Sequence, residues 1–322
     1  MDKIGANIFI ETVYPGVNVG CVVTEEGAIC IDTPLLPGEA QRWRARIRSL
    51  GGENVCCVVY TSGQSERVLG TQYLLSDQQG PPIAQPLPDR QVLRPRRAPF
   101  QRPAAQTTSA IRKSIRKGTI LAHKSAWEQV KEHRTDNFRQ SMVDTLGDRD
   151  PDMINLQVVL PQITLDTHIQ LFSGDITVTL LAAANGVLWV WLPERQVLFV
   201  GDTVVVGVHP PLTVVDVHEW LVALDQLQQK PQFQDAMLVP GRGPLCDISA
   251  TEPLIEYLHT ASKLTQEVYQ AGRSKADLNG VAAELVPLCP VPDGQWERVQ
   301  RQIKLGLDEM YDGFKAADVA VG

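Results

Sequence analysis

Residues 58–70 read VVYTSGQSERVLG. An apolar, β-branched run closes on Thr61, a short polar elbow follows, and Ser65-Glu66-Arg67 opens a helix. This is the layout of a strand that delivers a loop to the mouth of a sheet, where binding and catalytic residues collect. The loop has no histidine and no cysteine, so any chemistry in it must come from hydroxyl, amide, carboxylate or guanidinium groups.

Working outward, NIFIETV (7–13), NVGCVVTEEGAICIDT (18–33) and NVCCVVYT (54–61) predict strands, with Glu25-Glu26-Gly27 as a hairpin turn. PGEAQRWRARIRSLGG (37–52) predicts a helix, with Trp43, Ile47 and Leu50 at helical spacing and a glycine stop. GTILAH (118–123) predicts a strand, after which Ser125 is expected to cap the helix AWEQVKEH. INLQVVL (154–160), ITVTLLAAANGVLWVWLP (176–193), QVLFVGDTVVV (196–206) and DAMLVPGRGPL (235–245) predict further strands, and Asp216 is expected to cap the helix VHEWLVALDQLQQ. Beyond 250 the pattern is helical. Thr251 with Pro253 starts one helix, and Trp296, Val299, Ile303, Leu307, Met310 and Phe314 mark the apolar face of another. Two strand-rich halves with helices outside predict an α/β sandwich, and no strict internal repeat is present.

The 322 residues, 43% hydrophobic and 21% charged, suffice for a sizeable core. No apolar run approaches the ~18–20 residues of a membrane span, and MDKIGANIFIETV lacks a signal-peptide pattern, so a cytoplasmic protein is expected. The six cysteines show no CxxC spacing and read as reduced thiols. The net charge of −7 conceals a contrast: residues 78–117 carry +8 and the remainder −15. That stretch is Pro-rich and basic, with Phe100 its one aromatic. It reads as an insertion that is either a solvated loop or a docking segment for an acidic protein surface, nucleic acid or an anionic membrane face; a protein partner is expected, and nucleic acid is the weaker expectation because base stacking is poorly served.

Four landmarks in order give this layout a resemblance to the metallo-β-lactamase superfamily. GAICIDTPLLPGEAQ (27–41) resembles that family's strand ending in Asp-Thr, here Asp32-Thr33. The opening stretch stands where the family places Thr-His-x-His-x-Asp-His. LPERQVLFVGDTVVVGVHP (192–210) is similar to its strand leading to Gly-Asp and, in one branch, His-Pro. LVPGRGP (238–244) stands where the family has Val-Pro-Gly-His-Gly-Pro. The resemblance implies a four-layer αββα sandwich over residues 1–250, with 251–322 as a C-terminal helical extension packed on the same domain.

The resemblance also implies a zinc or iron site, and here its ligands are replaced. Ser62 and Gln64 stand for the first two histidines, Glu66 for the aspartate and Arg67 for the last histidine of the loop. Ala183 stands near the next histidine, Asp202 keeps the bridging carboxylate, and Arg242 replaces the final histidine. Zinc requires three good protein ligands, and arginine stays protonated, so no metal and no other cofactor is expected. Losing the cations would leave Asp32, Asp202 and Glu66 uncompensated. Arg67 and Arg242 are therefore expected to occupy the former metal volume and pair with those carboxylates. His209 matches the His-Pro branch and is expected beside the cavity. No serine lies in a nucleophile-elbow pattern, and no phosphate-binding glycine pattern occurs. The function expected is that of a pseudoenzyme without a zinc site, acting as a binding, scaffold or accessory subunit. The alternatives are a metal-independent hydrolase or lyase, or an anion-binding sensor, using Arg67 and Arg242.

Overall fold

The strand and turn signals of the first sixty residues build a meander. β1 (Asp2–Gly5), β2 (Ile8–Glu11), β3 (Val19–Thr24) and β4 (Gly27–Ile31) pair antiparallel, and Thr24 faces Gly27 across the expected hairpin turn. A helix, α1 (Pro37–Ser49), then carries the chain over to β5 (Val55–Tyr60), which runs parallel to β4. Parallel neighbours require such a crossover. β6 (Thr119–His123) and β7 (Ile163–Leu165) extend the parallel half, completing a seven-stranded sheet in the order β1 to β7. Trp43 and Ile47 of α1 are fully buried in a core cluster with Val55, Val58 and Tyr60. Arg44 is buried on the same helix, its guanidinium donating to the carbonyls of Gly52 and Glu53 and so closing the turn that ends α1.

The computed structural model describes residues 1–76, 117–173, 176–213 and 216–321, and by their packing the residues divide into two units, Met1–Asp202 and Thr203–Gly322. The basic stretch 78–117 lies outside the described residues except for Lys117, which with Gly118 makes the turn into β6. In the first unit a second, antiparallel sheet runs β8 (His168–Ser173), β9 (Ile176–Ala182), β10 (Leu188–Leu192) and β11 (Val197–Val205). The sheets pack face to face. A Cβ on Gly20 of β3 would lie 2.3 Å from the Phe199 ring of β11, closer than any side chain can approach. The first unit also holds the short helices α2 (Ser65–Val68) and α3 (Thr71–Leu75), then α4 (Lys124–Glu132) and α5 (Asp136–Leu146).

The second unit takes up the chain within β11 and carries α6 (Val217–Gln229), β12 (Met237–Arg242), α7 (Thr251–Gln270), α8 (Leu278–Leu285) and α9 (Trp296–Val321). Asp216 caps α6 as its sequence indicates, accepting the amides of His218 and Glu219. Trp220 on that helix donates its indole N–H to the Thr203 carbonyl at 2.9 Å. Among the described residues, no helix is long and apolar enough to cross a membrane.

Three expectations are corrected. Residues 154–160 form no strand: Pro151–Asn155 is a short 3₁₀ turn started by Asp150, and Leu156 and Val159 enter the core singly from extended chain. On α9, Ile303 and Leu307 are buried but Trp296 is 49% exposed, so the buried stripe begins later than its pattern suggests. Ser125 does not cap α4. The cap is His123, whose Nδ1 accepts the Ser125 amide, because an imidazole at the strand end reaches the orphan N–H that a serine inside the first turn cannot.

Candidate functional site

Four parallel strands end side by side, and the chemistry of the first unit gathers at their carboxyl ends, the usual ligand side of such sheets. Asp32 follows β4, Thr61 follows β5, His123 closes β6 and Asp166 follows β7. Asp32 adopts φ 55°, an uncommon conformation for a residue with a side chain, and its amide is held by the Val59 carbonyl at 2.9 Å. The turn aims its carboxylate at the next strand end, where Oδ1 accepts the Thr61 amide at 2.7 Å and Oδ2 the Thr61 hydroxyl at 2.6 Å.

Arg67 completes this arrangement. Its side chain is 0% exposed, with Nη1 donating to Asp32 Oδ2 at 2.8 Å and Nη2 to Asp202 Oδ1. Its backbone is fixed as well, since the Arg67 carbonyl accepts both the amide and the hydroxyl of Thr33 at 2.9 and 3.0 Å. Asp202 arrives on β11 after Gly201, which has φ +52°; a Cβ there would meet the Thr61 hydroxyl at 2.8 Å. Complete burial pushes the Asp32 carboxyl above the ordinary 3.8, against the pull of Arg67 and the Thr61 hydrogen bonds. Burial would lower Arg67, but Asp202 and Asp32 together raise it above its ordinary value, so the guanidinium is charged throughout. One buried cation therefore bridges two buried carboxylates. Among the described residues, the buried Arg67 Nε has no hydrogen-bond partner.

The remaining sequence-selected positions fall around this cluster unevenly. Ser62 is buried, with its hydroxyl at a long 3.5 Å from the Gln64 amide, and Gln64 is the half-buried residue before α2. Glu66 accepts from the Ser65 hydroxyl at 2.9 Å and acts on Arg67 only through its charge. Ala183 is buried in the turn between β9 and β10, its amide bonded to the Val187 carbonyl, and its methyl can ligate nothing. The loop itself is pinned by α4 and the residue after it: Gln129 accepts the Gly63 amide at 3.1 Å and His133 Nε2 donates to the Gly63 carbonyl at 2.9 Å.

Arg242 and His209 belong to the second unit. Arg242 ends β12 and its carbonyl accepts the Val206 amide at 3.0 Å. His209 has both ring nitrogens engaged: Nε2 donates to the Val286 carbonyl and Nδ1 accepts from the Tyr257 hydroxyl, each at 3.1 Å. That unit also has a cavity of about 380 Å³, lined in part by Asp216, Val217, Glu309 and Phe314, which includes none of the site positions singled out from the sequence.

These residues do not fit a zinc or iron ion. Asp32 and Asp202 hold a guanidinium, Ser62 and Gln64 are weak neutral donors, and three strong ligands are required. Among the described residues, no group of three or more His, Cys, Asp or Glu could hold a metal. Arg67 is fully buried, with both Nη groups engaged by carboxylates. Sequence reasoning missed Thr61, the partner that orients Asp32, and the contact between His123 and Ser125. A threonine closing a strand and a histidine two residues before a serine are too common to signal either.

No family model matches the sequence. No curated protein matches it either. Solved structures do. The DIM-1 metallo-beta-lactamase superposes with a TM-score of 0.52 at 19% identity, over 81% of this chain and 96% of that one. A metallo-beta-lactamase family protein from Thermus thermophilus gives 0.58 at 14% identity, over 94% of this chain and 91% of that one. A double mutant of the sec-alkyl sulfatase PisA1 gives 0.63 at 12% identity, over 97% of this chain but 50% of that one.

Proposed function

This chain has the metallo-β-lactamase fold, and on that premise we propose that it is a pseudoenzyme in the metallo-hydrolase sense, working by binding as a scaffold or accessory subunit. The observation that carries the reading is Arg67, wholly buried between Asp32 and Asp202. A guanidinium there supplies the positive charge that two clustered carboxylates require, and it repels a divalent cation from the same volume. The opposite charges of the 78–117 stretch and the rest of the chain support an acidic protein as the partner of that stretch.

The decisive experiment is metal analysis of the purified full-length protein after incubation with zinc and with ferrous iron, followed by thermal melting with and without EDTA. The expected result is no stoichiometric metal and the same melting temperature in both conditions. One equivalent or more of either metal, or a melting temperature lowered by EDTA, overturns the reading.

A further inference from the structure

The Arg67 cluster makes no use of the neighbouring strand end. There His123 closes β6 and Ser125 sits in the first turn of α4. His123 Nδ1 accepts the Ser125 amide at 3.2 Å, which fixes the tautomer: Nδ1 carries the lone pair and Nε2 the proton. The same Nδ1 lies 2.7 Å from Ser125 Oγ, so the hydroxyl donates to it in preference to the Gly186 carbonyl at 3.4 Å. Burial lowers His123 below the ordinary 6.5, opposed by the charge of Asp166 beyond β7 and reinforced by Lys124, so the imidazole is neutral at neutral pH. Ser125 itself is exposed. Facing the pair is Gly186 at φ +74°, where a Cβ would come within 2.6 Å of Ser125 Oγ and 3.4 Å of Nδ1. Only glycine leaves this hydroxyl its space.

A neutral base within hydrogen-bond reach of an exposed hydroxyl is the minimal arrangement for nucleophilic catalysis. We propose that Ser125 is a nucleophile, with His123 as its general base, for acyl transfer from small carboxylic esters. Ser125 Oγ attacks the ester carbonyl carbon while its proton passes to His123 Nδ1. The bond from that carbon to the alcohol oxygen then breaks, and the alcohol leaves with the proton from Nδ1. Water attacks the acyl-serine in turn, His123 takes its proton, and the carboxylic acid departs as the hydroxyl is restored. The exposed setting suits activated esters with good leaving groups more than peptide bonds. The inference goes beyond the binding role and does not depend on the Arg67 cluster.

The test uses full-length protein, a fluorophosphonate probe and p-nitrophenyl acetate. With the probe, Oγ forms a bond to phosphorus, fluoride leaves, and His123 receives the hydroxyl proton. The expected result is one label per chain on the peptide containing Ser125, abolished by Ser125→Ala. His123→Asn retains a good helix-cap acceptor but removes the base, and is expected to slow both labelling and ester hydrolysis by about 100-fold or more at unchanged melting temperature. An unlabelled wild-type protein, labelling that survives Ser125→Ala, or a His123→Asn variant as fast as wild type would overturn the proposal and leave the pair a helix cap. Metal content is indifferent to all three outcomes.

Discussion

The chain leaves two adjacent parallel strands under opposite conditions. After β5, the Thr61–Arg67 loop turns its charged arginine inward, where it is 0% exposed and bonded to two carboxylates from other strands. After β6, His123 and Ser125 bond mainly to each other, and Ser125 stays exposed. The difference lies in what faces each strand end. Asp32 and Asp202 converge on the first and demand a cation, whereas Gly186 approaches the second and leaves room. One strand end can thus be committed to structure while its neighbour keeps a reactive geometry.

Removing the buried cation should have the largest effect. Arg67→Met is expected to cost about 3–5 kcal/mol in urea denaturation, because Asp32 and Asp202 would remain buried and uncompensated; a loss below ~1 kcal/mol would show that the cluster does not hold the fold. Gly201→Ala is expected to cost about 1–3 kcal/mol, since the added methyl meets Thr61 in a left-handed conformation. His133→Ala, which frees the Gly63 carbonyl, should cost about 1 kcal/mol and can be checked by the same unfolding curves.

Acid offers a milder probe. Burial lowers His123, His133 and His209 below 6.5, so the unfolded chain binds more protons once the pH drops past that value. Their contribution to stability is complete above about pH 6.5 and is lost as pH falls through the lowered folded values. Melting temperatures from pH 8 to pH 5 should therefore decline on the acid side, and His133→Gln should flatten the decline. The smallest effect belongs to the exposed first turn of α4: Ser125→Ala is expected to change stability by no more than ~0.5 kcal/mol, against the several kcal/mol of Arg67→Met.

Much of the architecture was legible because strand periodicity, hairpin residues and helix caps are local signals. The Glu25-Glu26 turn, the Asp216 cap and the strand before Thr61 are where their residue types direct. The misread segments had local signals that tertiary contacts overrode: the apolar run at 154–160 supplies single core residues, and the capping atom of α4 belongs to His123. Arg67 could be picked out as a replacement for a ligand, and its pairing with Asp32 and Asp202 followed from charge compensation.

From sequence alone, the residue types at the site lead to the expectation of no zinc, because an arginine cannot ligate and a serine or glutamine binds weakly. Tertiary structure decided the rest. That Thr61 orients Asp32, that Arg67 is fully enclosed, and that Gly186 leaves space over Ser125 all depend on distances between segments far apart in the chain. Side-chain chemistry is written residue by residue, but burial and reach are set only when the strands come together.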